Sequence, residues 1–270
     1  MDLRQRINIK YFMVGYLGVL LLGASIVSGF PERFLYGLVI VGLYASFDLL
    51  WTRLRDKVWY VPVSSWISGL VLANVAIPVL SLPVLVLLPF VAVFSKQALH
   101  FGKTRHLFNP AAFSLFVLTG ITPVVAWWSA SANVWMTLSA AVVGVFILWR
   151  QRRFHVFISF SLAYALGLSI FAFVQGLNVQ ALRFVLESSF LNGAVIFFAT
   201  VMLIEPITSG FSTYKQRAIY GALVGVFSTL GTFLATAVPI AGLDPLIIGL
   251  LLGDLAASLL YLPAKAPQHI

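Results

Sequence analysis

Read along its length, the chain alternates long runs of mainly apolar residues with short breaks that hold almost all of its charge. A helix rises 1.5 Å per residue, so a run of about 20 apolar residues matches the ~30 Å hydrocarbon core of a bilayer. The pattern predicts ten such segments: 11–29, 34–51, 60–78, 80–99, 109–127, 133–149, 154–174, 190–206, 218–238 and 244–262. The breaks between them are too short for a soluble domain, so residues 1–270 read as one integral membrane domain. Every predicted element is a helix, and the fold class is an all-α polytopic membrane protein.

Charge then orients the segments. Of the seventeen Lys and Arg residues, all but Arg33 and Arg183 fall on one side of the alternating series. Short loops rich in Lys and Arg stay cytoplasmic, which predicts both termini inside and a location in the cell (inner) membrane. Composition agrees: 61% hydrophobic and 9% charged residues, with mean hydropathy +1.01, against about 25% charged in a soluble chain. The net charge of +9 therefore reads as topology charge. No basic stripe carries interleaved exposed aromatics, which argues against nucleic acid as a partner. The absence of Cys excludes thiolate-bound Fe–S clusters and disulfides. No small-residue cleavage site follows the first apolar run, so that run is expected to remain as a helix.

Ten segments split into two sets of five, and an odd number per set gives the halves opposite topology. The expected repeats cover about 11–127 and 133–262. Two places match. Segment three opens Ser64-Ser65-Trp66-Ile67-Ser68-Gly69 and closes at Pro78; segment eight opens Ser188-Ser189-Phe190-Leu191-Asn192-Gly193 and closes at Pro206. Segment five opens Asn109-Pro110 and segment ten opens Asp244-Pro245. In the second pair an Asx side chain can cap the helix while Pro sits in the first turn, where its missing N–H costs nothing. Inverted repeats often place broken helices around a midplane site, and segments three and eight, with their Ser, Gly and Asn residues, are the candidates. Asn192 joins the candidate ligand-binding residues on that ground.

Two stretches are more specific. The first is Gly102-Lys103-Thr104-Arg105-His106-Leu107-Phe108-Asn109-Pro110-Ala111-Ala112-Phe113. The second is Phe197-Phe198-Ala199-Thr200, then Glu205-Pro206-Ile207-Thr208-Ser209-Gly210, then Arg217-Ala218-Ile219-Tyr220-Gly221-Ala222. Together they resemble the NqrB/RnfD family, the membrane subunits of sodium-pumping NADH:quinone reductase and of the Rnf complex. The resemblance runs in order through most of residues 60–262. It implies a 5+5 inverted repeat of about ten transmembrane or half-spanning helices, similar to the urea and ammonium channel scaffold. It also implies electron transfer across the membrane through FMN or riboflavin, a nearby quinone, coupling to an ion, and partners among other membrane subunits and a soluble flavin- or Fe–S-bearing reductase.

The chain departs from the family pattern where FMN is esterified to a Thr in an S-G-A-T motif. The nearest string is Thr119-Gly120-Ile121-Thr122-Pro123-Val124, with Ile121 in place of the small Ala. Thr122 is the candidate for covalent FMN; the plain alternative is a helix end with Gly120 as its cap. Glu205 stands where the family has Asp, and Gly210 where it has Pro.

The other candidates carry plain and chemical readings side by side. Lys96, His100, Lys103, Arg105 and His106 are either surface topology charge or an anion or flavin anchor beside a helix N-terminus. Asn109 is an N-cap whose amide can also reach a bound ring. Glu205, with Thr208 and Ser209, either binds ligand or pairs with Lys215 or Arg217. Asp254, inside segment ten, is expensive to bury and so reads as an ion-coupling site or a partner for an Arg. Asp48 is expected to pair with Arg53 or Arg55. His100 and His106 are six apart and miss one helical face, so no metal site is expected; a bis-His haem would need His100 and His155 to converge. No Gly-rich βα turn for a nicotinamide is present. The competing function is a small-solute channel or carrier on the same scaffold, without redox chemistry.

Overall fold

The computed structural model describes residues 8–77, 80–101, 105–122, 126–237 and 242–261. Lys103 lies outside these residues, as does the side chain of Arg105. The chain is helical almost throughout. In order it forms α1 (Ile9–Val27), α2 (Glu32–Asp56), α3 (Val63–Val75), α4 (Leu82–Ala98), a two-residue antiparallel ribbon of β1 (His100–Phe101) and β2 (Arg105–His106), and α5 (Pro110–Thr119). A 3₁₀ turn at Ser129–Ser131 leads to α6 (Val134–Gln151), α7 (Phe154–Val174), α8 (Val179–Phe190), α9 (Gly193–Phe197, continued by a π-helix over Phe198–Met202), α10 (Tyr214–Ala237) and α11 (Pro245–Leu260).

Caps set the boundaries. The Asn109 side chain accepts from Ala112 N at 3.1 Å and Pro110 fills the first turn of α5. Asp244 accepts from Leu246 N and Ile247 N, and Pro245 opens α11 in the same way. Asn133 caps α6 and Asn178 caps α8 by accepting from the N–H three residues on. Lys57 and Arg152, with φ of 60° and 56°, turn the chain out of α2 and α6 through the left-handed region.

Among the described residues five helices (α1, α2, α6, α7 and α10) are long and apolar enough to cross a membrane, and α8 with α9 makes a sixth if that pair, bent by 50°, is one span. The remaining apolar helices, α3, α4, α5 and α11, have 10–17 residues. Large apolar side chains face outward along the long helices, among them Val142, Leu162 and Leu166. In water that surface would be untenable; the molecule has the form of a multi-pass membrane protein.

Several expected boundaries move. Segment five stops at Thr119, well short of residue 127, because Gly120 and Ile121 turn the chain. Residues 175–189, expected as a loop, contain α8, a helix with no buried residue and an exposed Arg183–Glu187 pair four residues apart. That polar outer face is why hydropathy alone missed it. Ser188-Ser189 consequently sit in the last turn of α8, whereas Ser64-Ser65 sit in the first turn of α3. The serine pairs therefore do not occupy matching places.

Helix α3 packs on α1 and α2; α2 packs on α4, and α4 on α5. In the second half α9 packs on α6, α7 on α10, and α10 on α11, while α5 meets α11 across the middle. Glycines bring α10 close to α7: a Cβ at Gly221 would stand 2.4 Å from the Val156 carbonyl oxygen. Small residues serve close helix contact where the hydrophobic effect gives no drive.

The connection between α5 and α6 is clamped from several sides. Trp127 N donates to Val75 O at 2.6 Å, and Ala76 bridges Ala126. Buried Arg33, at the start of α2, donates to Trp127 O (3.3 Å) and Ser129 Oγ (2.9 Å), with its guanidinium stacked 3.5 Å over the Trp127 ring. Trp128 Nε1 donates to Asp244 at 2.8 Å, and Ser131 Oγ donates to Asn192 at 2.6 Å. Trp128 is 7% exposed, so it serves this clamp and not a lipid interface.

Candidate functional site

A cavity of about 320 Å³ opens between α1, the short helix α3 and the π-helix that continues α9. Its wall is mostly apolar: Met13 of α1, Ile67 and Val71 of α3, and Val201 and Met202 of the π-helix. Polar residues in the lining are Lys96, His106, Asn109 and Glu205, with Lys10, Ser64, Ser68 and Gln151. Each of the first four is positioned by a helix end. Lys96 lies in the last turn of α4, His106 is on the ribbon that leaves α4, Asn109 caps α5, and Glu205 follows the π-helix. A π-helix holds one residue more than an α-turn and is frequent at functional sites. Here Leu203 N donates to Phe198 O, and the widened turn delivers Glu205-Pro206 to the cavity wall.

Asn109 is the hub. Its Nδ2 donates to Glu205 Oε2 at 2.9 Å, and its backbone N–H donates to Asp254 Oδ2 at 2.9 Å. Thr208 Oγ1 donates to the same Glu205 oxygen at 3.3 Å. Tyr220 OH donates to Asp254 Oδ1 at 2.9 Å, and Asp254 is buried. Ser209 works on the backbone: its Oγ donates to Glu205 O at 2.7 Å, while its own carbonyl accepts from buried Arg153 at 2.8 Å. Glu205 is therefore held by Asn109 and Thr208, and the expected pairing with Lys215 or Arg217 does not form; the Arg217 Nε donates instead to Phe211 O at 2.6 Å.

A buried ion pair flanks this hub. Lys96 Nζ donates to Asp48 Oδ2 at 2.8 Å and to Ser65 Oγ at 3.4 Å. Tyr60 and Ser65 also donate to Asp48 Oδ2, and Gln97 Nε2 donates to Oδ1 at 2.6 Å. The expected Asp48 pairing with Arg53 or Arg55 is replaced by this network. Asp48 points inward from α2, whereas Arg55 pairs with the exposed Asp56. Asp48 within the apolar run of α2 and Lys96 near the end of α4 are the signal for this pair, since charges inside apolar helices are rarely left unpaired.

His106 is 8% exposed and packs against His100 across the ribbon, ring centroids 5.5 Å apart. The six-residue spacing that misses a helical face is the register partner spacing of this ribbon. Burial, then the Lys96 charge, pushes the His106 imidazole down to about 4, so the ring is neutral near pH 7. Among the described residues no group of three His, Asp and Glu side chains stands close enough to hold a metal ion.

The structure thus brings together Asn109, Glu205, Thr208, Ser209 and Asp254, with Lys96, Asp48 and His106 beside them. Two candidates lie elsewhere. Asn192 caps the far end of α9, accepting from Ala194 N and Ser131. Thr122 lies beyond the other end of the ten-residue α5, about 15 Å along the helix from Asn109, and its Oγ1 donates to Leu118 O at 3.3 Å. Comparison with protein-family models gives no match to the chain, and comparison with curated proteins gives none either.

Proposed function

We propose that the chain is the membrane subunit of an RnfD/NqrB-like, ion-coupled electron-transport complex, passing electrons across the bilayer through a bound flavin. One observation carries the reading. The two stretches on which the resemblance rests, Asn109-Pro110-Ala111 and Glu205-Pro206-Ile207, lie almost a hundred residues apart and line the same cavity. Its volume is at the lower end of the range for small-molecule sites, and its apolar walls with a few polar groups are typical of them. The fit suits the ring of FMN or riboflavin, held without a covalent bond by Asn109, Glu205 and their supports Thr208 and Ser209. A flavin supplies one- and two-electron redox chemistry when bound. A covalent FMN on Thr122 would belong to a separate site at the opposite end of α5.

An inverted repeat is part of this reading of the scaffold. The packing series α2–α4–α5 has its counterpart in α7–α10–α11. Asx-Pro caps open the last helix of each half, and a buried Arg stands at the start of the second: Arg33 in one, Arg153 in the other. In this orientation both termini face the cytoplasm of a cell carrying the protein in its inner membrane. The basic side then receives a soluble flavin or Fe–S reductase, other membrane subunits and quinone complete the chain of carriers, and Asp254 serves ion coupling. The second reading is a small-solute channel or carrier, favoured by the placement of the same cavity between α3 and α9, the short and broken segments.

The test is an absorbance and fluorescence spectrum of the protein purified in mild detergent from flavin-replete cells, before and after denaturation. Flavin released on denaturation is the expected result. A colourless protein overturns the redox reading and turns attention to solute flux.

A further inference from the structure

On the basic side of the molecule two arginines from separate loops meet on one turn. Arg153 lies between α6 and α7, and Arg217 lies in the first turn of α10. Arg153 Nη1 donates to Ser209 O at 2.8 Å and Arg217 Nε donates to Phe211 O at 2.6 Å, while Phe211 N donates to Ser209 O at 2.9 Å. The two guanidiniums are thus fixed as neighbours. Burial, then the Arg217 charge, pulls the Arg153 guanidinium down to about 10. No carboxylate relieves that repulsion: the ion pairs among the described residues are Arg55–Asp56, Lys96–Asp48 and Arg183–Glu187. Each guanidinium carries five N–H donors in a planar fork, and each spends one on a carbonyl of this turn. At Arg33 the unpartnered Nε and Nη1 are sealed from solvent; Arg153 and Arg217 have no such sealed atom, so their unused N–H groups reach the surface.

We propose that Arg153 and Arg217 hold the phosphate of an anionic phospholipid whose acyl chains lie along the outward face of α7. A guanidinium fork matches two phosphate oxygens at once, and two forks on one turn suit a tetrahedral anion. The surroundings favour a lipid over an acidic protein surface. The pair stands where α7 and α10 begin, beside the exposed rings of Phe154 and Tyr214, with the Arg217 guanidinium 5.7 Å from the centre of the Tyr214 ring. From Phe154 the outward apolar stripe continues through Ile158, Leu162 and Leu166 at helical spacing. A Tyr at that level suits the headgroup zone, and basic pockets at helix ends are where lipid phosphates bind. The site also adjoins the cavity, because Ser209 Oγ donates to Glu205 O at 2.7 Å: a phosphate that steadies the two arginines steadies the turn that follows Glu205. The inference needs a membrane-embedded chain and is independent of the redox reading.

The experiment measures lipid binding to the full-length protein, delipidated in detergent, by native mass spectrometry with dioleoylphosphatidylglycerol and dioleoylphosphatidylcholine. Both probes carry a phosphate, and the choline cation of the second is repelled by the arginines. The expected result is a first phosphatidylglycerol bound about tenfold more tightly than phosphatidylcholine. Arg217→Gln should cut that ratio to about twofold, whereas Lys57→Gln, which removes a charge from the same basic side at the end of α2, should leave it at about tenfold. Arg217→Lys keeps the charge without the fork; its ratio should fall to about fourfold, and it serves where the Gln variant does not fold. Equal binding of the two lipids by the parent protein overturns the inference. So does an equal loss of preference in Lys57→Gln and Arg217→Gln, which is the mark of diffuse charge. If the lipids bind alike while inorganic phosphate or hexaglutamate raises the melting temperature of the parent and not of Arg217→Gln, the pair belongs to a free anion or an acidic protein and the lipid site is overturned.

Discussion

At the scale of single residues, the site is built from side chains that hold other side chains. Asn109 caps α5, donates to Glu205 and passes its backbone N–H to Asp254, so one residue serves helix, loop and carboxylate together. Its role as a cap was legible from Asn-Pro alone; its bonds to two acids from the other half were not, because they depend on how α5 meets α11. His106 gives a measurable signature. Its folded pKa of about 4 lies below the unfolded value of 6.5. Above pH 6.5 both states are neutral and the group contributes nothing; between 6.5 and about 4 the unfolded chain takes up a proton that the folded chain refuses. Stability should fall across that window by about 3 kcal/mol from this group. Thermal unfolding in detergent between pH 7 and 4.5 should show His106→Gln less acid-sensitive than the parent, and parallel curves would contradict the placement of His106.

At the scale of elements, periodicity and hydropathy located most helices, because an apolar run can do little else in a bilayer. They failed on α8, whose outward stripe of Gln180, Arg183 and Glu187 lowers the local hydropathy, and on the end of α5, where no strong breaker precedes Gly120. The join between α8 and α9 is tight. A Cβ on Gly193 would sit 2.0 Å from the Ala130 carbonyl oxygen, an overlap with backbone that cannot rotate away. Gly193→Ala should therefore destabilise the fold by about 1–3 kcal/mol and lower the apparent melting temperature, whereas Gly15→Ala, with open space around it, should leave it unchanged. Equal melting temperatures for the two variants would show that α9 does not pack against residues 129–131.

At the scale of the whole molecule, the charge asymmetry predicts an orientation, and labelling can test it directly because the sequence has no Cys. Single cysteines at Lys57 and Arg152 should react with a membrane-impermeant maleimide only from the cytoplasmic face, and those at Ser28 and Gln175 only from the other; reversal of either pair would overturn the orientation. The class of the protein was legible from composition and loop charge. The site was half legible: Asn109 and Glu205 were visible as motifs and His106 as a candidate anchor, while the pairing of Lys96 with Asp48 and the burial of His106 needed the tertiary arrangement that brings α2, α4 and the ribbon together. The clamped connection between α5 and α6 also bears on how anything crosses. Arg33 grips it from the first half and Asp244 from the second, with Val75 and Asn192 tying it to the ends of the broken segments. A carrier that alternates access must let its halves rock, and a rocking pivot needs a compliant joint. A joint tied at this many points suits the proposed conductor, whose cargo would move while its frame stands still.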